Sequence, residues 1–452
     1  METREIRIEP VTRVEGHAKV TIFLRGEKIE KIQLNIIEPP RFFEKLVENK
    51  PAEEAPRITE RICGICYASH HLASVKAVET AWGVSPPKAA VNLRRLLNAG
   101  QHVASHILHL AFLALPDLLD IKDRNFVEAS KRNPELVESA FKLHEYGLKV
   151  MKSVGGREIH PVTAIPGGMS KPLSGEDRDA LLRGSDEAIQ IAEEIASFLF
   201  NALEERGELV REFPSNKTYY MSLTSDGTHE IYDGLLTVVN PEGKLKLKFP
   251  PNEYLDHVAE KAVPHSYVKY PFLKEFGYPD GLYRVGPLAR LNVAKEIAMP
   301  KAFKYLCSFK KSFGDPAHNV LAYNAARAVE LVHATEMVKA ILKDPSIESD
   351  DVLVEPVPRE GNGVGIVEAP RGVLIHHYRV NKDGLIERGN FIVATGQNVP
   401  LIELDIMSFM GKRRLNPDLT EEELLWKVET LVRAYDPCIS CATHIVELKR
   451  LS

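Results

Sequence analysis

Apolar and polar residues alternate over residues 4–38, in Val20-Thr21-Ile22-Phe23-Leu24 and again in Ile32-Gln33-Leu34-Asn35-Ile36, on either side of Arg25-Gly26-Glu27. A period of two puts every second side chain on one face, so this segment predicts an antiparallel sheet at the start of the chain. The period then lengthens. Apolar residues recur at three- and four-residue steps over 66–81 and 88–119, with Pro86-Pro87 where a helix opens, which predicts two helices. The second is long and mostly apolar, which places it in the centre of the fold. Residues 134–153 and 175–212 predict further helices, parted by the Pro- and Gly-containing loop 160–168.

Short alternating runs rich in Tyr, Gly and Pro fill 216–290 and predict a strand-rich lobe, followed by a helix over 317–343. Residues 371–378 and 390–395 read as a hairpin around Asn381-Lys382-Asp383-Gly384, and a last helix over 420–435 leads to the C-terminal end. The fold class expected is α+β and mainly helical. A central bundle of long helices carries an N-terminal antiparallel sheet and a peripheral β-rich lobe, in one integrated unit over 1–444. No internal repeat or low-complexity segment interrupts this pattern.

Composition narrows the function classes. The chain has 452 residues, 44% of them hydrophobic, enough to bury a large core. Its 58 basic and 63 acidic residues leave a net charge of −5 without long runs of one sign, so nucleic acid is not an expected partner. No run of about 18 apolar residues spans a membrane, and the start Met1-Glu2-Thr3-Arg4-Glu5 lacks a secretory signal. A cytoplasmic protein is expected, with protein and small-molecule partners.

Cysteine placement carries the chemistry. Four of the five cysteines form two pairs, Cys63-Gly64-Ile65-Cys66 and Cys438-Ile439-Ser440-Cys441, at opposite ends of the chain. Converged, they would make a four-thiolate site, and soft sulfur donors favour Ni, Fe, Cu(I) or Zn. One Cys-x-x-Cys pair is weak, because zinc knuckles and thiol redox pairs share it. A zinc ribbon spaces its pairs by about 15–20 residues, whereas most of a domain lies between these two. Cys307 has no partner motif. His102, His106 and His109 have zinc-compatible spacing but no fourth ligand, so hydrogen-bonded polar groups or a proton-path contribution are the better readings.

Arg61-x-Cys63-Gly64-x-Cys66-x-x-x-His70, joined to Asp436-Pro437-Cys438-x-x-Cys441-x-x-His444, resembles the paired signatures of the nickel-iron hydrogenase large subunit. Arg13-Val14-Glu15-Gly16-His17, Arg41-Phe42-Phe43-Glu44 and Glu368-Ala369-Pro370-Arg371-Gly372 fit in the same order, so the resemblance covers nearly the whole chain. It implies reversible oxidation of H2 to two protons and two electrons at a Ni-Fe centre whose iron carries CN and CO ligands. It assigns Cys63 and Cys438 as terminal nickel ligands and Cys66 and Cys441 as the bridging pair.

Other roles follow from the same resemblance. Glu15 matches a proton-gating glutamate, which in isolation would read as a surface or salt-bridged residue. Arg371 matches a guanidinium over the metal pair, against an ordinary salt bridge. Thr395 matches a hydroxyl that hydrogen-bonds a cyanide, against a solvated strand threonine. His70 could support a bridging sulfur, Asp436 fits a second-sphere aspartate, and His71 reads as packing. Glu44 and His444 match ligands of Mg2+ or a similar divalent cation, completed by waters and a backbone carbonyl near Phe391. Ser105 stands where many relatives carry a second aspartate, and Asp117 has no clear role. The tail 445–452 extends past the point where such subunits are cut by a maturation protease, and a cut after His444 is expected.

The resemblance further implies an iron-sulfur small subunit, because this chain keeps no cysteines for clusters. Further electron-transfer subunits and nickel chaperones belong to the same picture, which is nearest to the cytosolic, cofactor-coupled group 3 type. Three rivals stay open. The quinone-side subunit of respiratory complex I shares the fold but lacks the ligand cysteines. A regulatory H2 sensor would share the site, and a structural zinc tetrathiolate protein would share only the four thiols.

Overall fold

The computed structural model describes residues 3–26, 28–39, 41–119, 121, 125–411 and 420–443. The opening alternation becomes a three-stranded antiparallel sheet, β1 (Thr3–Ile8), β2 (Ala18–Arg25) and β3 (Lys28–Ile36), in that spatial order. Ile22 faces Ile6 on one side and Ile32 on the other. Every second side chain, among them Ile6, Ile8, Val20, Ile22 and Leu34, is buried, which fixes the register.

Four long helices form the centre: α2 (Lys88–Ile107), α3 (Pro134–Gly155), α4 (Gly175–Glu205) and α5 (Ala322–Leu342). They are preceded by α1 (Tyr67–Trp82). α5 packs on both α2 and α4, and α3 bridges those two. The single helix expected over 88–119 is instead α2 followed by a π-helical segment, Leu108–Ala114, and one closing turn, Leu115–Leu118. The wider π turns leave carbonyls available, and Arg13 donates to that of Leu113. The helix expected over 175–212 ends at Glu205, with a short separate helix at Gly207–Glu212.

The β-rich lobe holds β4 (Tyr219–Ser225), β5 (Leu235–Val239) and β6 (Leu245–Phe249) in one sheet, extended by Tyr283–Arg284 beside β4. A third sheet runs β7 (Gly361–Ala369), β8 (Gly372–Val380) and β9 (Ile386–Ile392). The expected hairpin is β8–β9. A Cβ on Gly361, Gly363 or Gly365 would lie 2.0 Å from the carbonyl of Ala81, Ala77 or Ala73 respectively. Strand and helix backbones therefore touch along α1, and that contact fixes the helix whose first turn follows Cys66.

Two helices complete the C-terminal part: α6 (Ala394–Gly411) and α7 (Glu421–Ala434). α7 opens on a capping box in which Thr420 and Glu423 satisfy each other's backbone N–H groups. Thr395, expected at the end of a strand, sits in the first turn of α6 and is buried. Asp117 acquires a clear place. Its carboxylate takes Arg433 through Nε at 2.6 Å and Nη2 at 2.9 Å, and Arg13 Nη2 at 2.6 Å. The N-terminal turn, the end of the central helix and α7 are thereby tied at one buried point. Among the described residues no helix is long and apolar enough to cross a membrane.

The core also buries histidines. Burial holds His102 and His333 well below their ordinary 6.5, and burial lowers His106 to about 4 against the opposing pull of Glu330. An unfolded histidine takes up its proton near 6.5, so between that pH and about 4 the unfolded chain binds more protons than the folded one. Stability therefore falls as pH drops through this window, with His106 alone contributing about 3 kcal/mol. Thermal melts from pH 7 down to 4.5 should show a steadily falling midpoint; a flat profile would contradict the neutral histidine core.

Candidate metal centre

Cys63 follows a 3-10 turn at Glu60–Ile62, and Cys66 caps the start of α1. The chain between them curls tightly enough that the N–H groups of Ile65 and Cys66 both donate to Cys63 Sγ, at 3.2 and 3.1 Å. Cys438 precedes the single turn Ile439–Ala442, which carries Cys441. The two pairs meet. Cys63 Sγ lies 3.3 Å from Cys438 Sγ, Cys66 Sγ 3.3 Å from Cys441 Sγ, and Cys438 Sγ 2.8 Å from Cys441 Sγ. All four sulfurs fall within 4.8 Å of one another and all four residues are buried. Thiols this close together are near enough to share soft metal ions at Zn–S-like distances of about 2.3 Å.

Three backbone devices bring the ends together. Glu15 pairs with Cys438 as a parallel bridge, with Ile439 N–H donating to the Glu15 carbonyl at 3.0 Å. Gly16 has φ 82°, and a Cβ there would come within 2.8 Å of Ile439 Cβ, so only glycine allows this approach. Arg13 and Asp436, with φ of 57° and 55°, hold the left-handed conformation on either side of the bridge, a strained geometry that packing must maintain. Arg41, to which the sequence alone gives no role, clamps both cysteine segments. Its guanidinium donates to the carbonyl of Ser440 at 2.5 Å and to that of Ile62, and its N–H donates to Thr443 O at 2.9 Å.

The thiols do not titrate alike. Burial pushes Cys63 up, but hydrogen bonds from the other three cysteines and the charge of Arg371 outweigh it and hold its thiol well below the ordinary range. Burial raises Cys438 and Cys441 well above it. The cluster therefore resists four negative charges until cations enter, and loading metal must expel protons.

Arg371 stands on the two-residue turn between β7 and β8. Arg290 braces that turn, donating to the carbonyls of Ala369 and Pro370 at 3.0 Å each and to Glu368 at 2.7 Å, with Glu330 neutralising its other side. Arg371 then reaches Asp436, through Nε to the carbonyl at 2.7 Å and Nη2 to Oδ1 at 2.9 Å. Ser105 Oγ lies 3.4 Å from Nη1, so this serine does face the guanidinium. Burial opposes the charge on Asp436, but Arg371, His109 and Arg327 hold the carboxyl well below its usual range. His109 Nδ1 is 3.0 Å from Asp436 Oδ1.

Glu15 Oε2 accepts from Cys438 Sγ at 3.1 Å and from Ser440 N–H at 3.0 Å. The Thr395 hydroxyl accepts from Cys438 N–H at 3.0 Å. His70 Nδ1 is 3.0 Å from His376 Nε2, a partner the sequence does not indicate, and His376 continues to Tyr378. Cys66, His70, Arg371, Thr395, Cys438 and Cys441 face a cavity of about 10 Å³, room for about one water-sized molecule. Glu44 Oε1 accepts from Phe391 N–H at 2.8 Å. His444 and the tail 445–452 lie outside the described residues.

The remaining histidines take structural places. His71 lies between the carbonyl of Ala164 at 2.7 Å and Glu60 at 3.0 Å. His102 turns to Asn98 O at 2.9 Å and His106 lies 3.2 Å from Glu330. Among the described residues no second group of three or more His, Cys, Asp or Glu converges as a metal site, and Cys307 is exposed.

A family model for nickel-dependent hydrogenases matches residues 41–154 and 216–444, and one described as HoxL-like matches 5–38. A vhu subunit of the F420-non-reducing hydrogenase of Methanocaldococcus jannaschii is 46% identical over 405 residues, 88% of this chain and 97% of that protein. The beta subunit of the NAD-reducing hydrogenase HoxS of Cupriavidus necator is 35% identical over 98% of this chain and 95% of its own. A crystal structure of NAD+-reducing NiFe-hydrogenase in the H2-reduced state superposes with a TM-score of 0.92 at 37% identity, over 98% of this chain and 99% of that one. The NiFeSe-hydrogenase of Dm. baculatum, at 24% identity and a TM-score of 0.79 over 98% of this chain and 100% of that one, shares the fold.

Proposed function

This chain belongs to the nickel-dependent hydrogenase family as a large catalytic subunit, and from that premise we propose how its residues divide the reversible oxidation of H2 to protons and electrons. The observation that carries the reading is the convergence of four buried thiols from both ends of the chain beside one carboxylate and one guanidinium. Cys63 and Cys438 would be the terminal nickel ligands, and Cys66 and Cys441 the ligands shared with an iron carrying CN and CO. Bound nickel and iron supply the Lewis acid and electron sink for heterolytic splitting of H2.

The chain's own groups handle the proton and the field. Cys438 Sγ serves as the base, and its 3.1 Å contact with Glu15 Oε2 lets the proton leave in one hydrogen-bond step. Ser440 fixes Glu15 in that position through its N–H and its hydroxyl. Arg371, oriented by Asp436, sets a permanent positive charge over the thiolates. Thr395 gives its acceptor side to Cys438 N–H, which leaves its hydroxyl proton available to donate to a cyanide of the bound centre. His70, held by His376, supports the bridging sulfur side. Glu44 and His444 would hold a Mg2+ or similar divalent cation.

Electrons leave to an iron-sulfur small subunit, consistent with relatives that are themselves named as subunits of hydrogenases. We place the complex in the cytoplasm with further electron-transfer subunits, matured by nickel chaperones and a protease that cuts after His444. Metal analysis of the purified complex, paired with H2-dependent dye reduction, tests the reading. Nickel and iron bound with brisk turnover is the expected result. Zinc alone without H2 uptake would overturn it in favour of a structural tetrathiolate, and nickel with iron but very slow turnover would point to an H2 sensor.

A further inference from the structure

The β7–β8–β9 sheet turns one face to α1 and the other toward the β-rich lobe. On the lobe side Asn362, Arg379 and Arg388 stand in one cross-strand row, and His377 and Asn390 pair in the row beside it. Tyr254, Leu255, Glu260 and Lys269 close over these rows and leave a cavity of about 400 Å³, separate from the thiols. That size is ordinary for a small-molecule site.

Two independent features show what this cavity would take. The first is an oriented hydrogen-bond chain along its floor. Asn390 Nδ2 donates to the Tyr254 hydroxyl at 3.2 Å, that hydroxyl lies 2.9 Å from His377 Nδ1, and His377 Nε2 lies 2.7 Å from Asn362 Oδ1. Each proton can run the same way: Tyr254 donates to Nδ1, and Nε2–H donates to Asn362. Burial and the nearby Arg388 keep His377 below its ordinary range, in keeping with a neutral ring. The chain ends by fixing the Asn362 amide with its oxygen engaged and its NH2 free to donate.

The second is uncompensated charge. Arg379 and Arg388 lie directly opposite each other on neighbouring strands, an arrangement that costs stability when unrelieved. Glu387 answers Arg379 at 2.8 Å and Glu260 answers Lys269 at 3.2 Å. Among the described residues Arg388 has no carboxylate within ion-pair distance. Both arginines are exposed and line the cavity beside that donor amide, and guanidinium groups with an amide donor suit the planar oxygens of an oxyanion.

We propose that this cavity binds the oxyanion group, phosphate or carboxylate, of a small molecule, gripped by Arg388 and Arg379 with Asn362 as the third donor. The test is calorimetric titration of the native complex, in low-salt buffer free of phosphate, with inorganic phosphate, adenosine monophosphate or citrate. Saturable binding is expected. Preference for the first two probes would assign a phosphate, and preference for citrate a carboxylate. Arg388→Ala should weaken binding by at least about tenfold and raise the melting temperature of the ligand-free protein, since it removes a like charge; Arg388→Lys should weaken it less. No saturable heat from any probe at millimolar concentration, or equal affinity in Arg388→Ala, would overturn the proposal.

Discussion

Asp117→Asn is expected to destabilise the chain by about 3–5 kcal/mol, because it keeps the side-chain shape but removes the one carboxylate shared by the buried guanidinium of Arg433 and the half-buried one of Arg13. Arg433 keeps the Thr12 carbonyl at 2.9 Å but has no other carboxylate nearer than Glu429 at 3.4 Å, and Arg13, whose charge is already disfavoured by burial and by Arg433, loses its ion-pair partner and is left with the Leu113 carbonyl. The damage should reach the metal centre. Arg13 lies two residues before Glu15, and Arg433 five before Cys438, so the knot sets how the bridge between those residues closes. Urea or thermal unfolding should therefore show an earlier transition together with reduced nickel retention. Adding Arg13→Met should recover part of the loss by removing one of the two stranded cations, a coupling readable in a double-mutant cycle. Unchanged stability in Asp117→Asn would mean that the three segments are held together by packing alone.

The elements legible in the sequence are those with one wet and one dry face. Residues 4–38 alternate because their sheet lays a single face on the core, and α7 announces itself through Thr420 and Glu423. β7 is hidden because Gly361, Gly363 and Gly365 weaken strand propensity, and the reason for them lies in the backbone of α1, which no local window contains. α6 is hidden because it is largely apolar around its circumference, with Pro400 inside it, so it offers no helical period to read. Without that helix, Thr395 falls at a strand end. The helix Pro300–Phe313 goes unread too, although its apolar positions Ala302, Leu306 and Phe309 do keep a helical step.

The centre itself is legible as four cysteines, since thiols in spaced pairs have few other uses. Its supports are less so. Arg41, His376 and the Arg290–Glu330–Glu368 set act through tertiary partners distant in sequence, and an isolated arginine or histidine in a string gives no sign of them. Ser105 teaches the opposite. The family resemblance marks it as a departure from an expected aspartate, and the structure leaves it at a long 3.4 Å from Arg371, so Asp436 provides the charged anchoring of that guanidinium.

Glu15→Gln should separate proton handling from metal binding. The amide keeps the length of the side chain and still offers an oxygen to Ser440 N–H, so the parallel bridge to Cys438 should survive. What it lacks is the ability to take a proton from Cys438 Sγ and pass it on. Loss of a positioned acid-base group typically costs about 10²–10⁴-fold, and H2 oxidation should fall by that factor with nickel and iron content unchanged. Glu15→Asp keeps the carboxyl but shortens its reach from the present 3.1 Å, so it should recover only part of the rate. The paired readout is decisive in both directions. A Gln variant turning over at the parent rate would remove Glu15 from the proton route, and one that loses its metals would make the residue a structural brace of the C-terminal thiols instead.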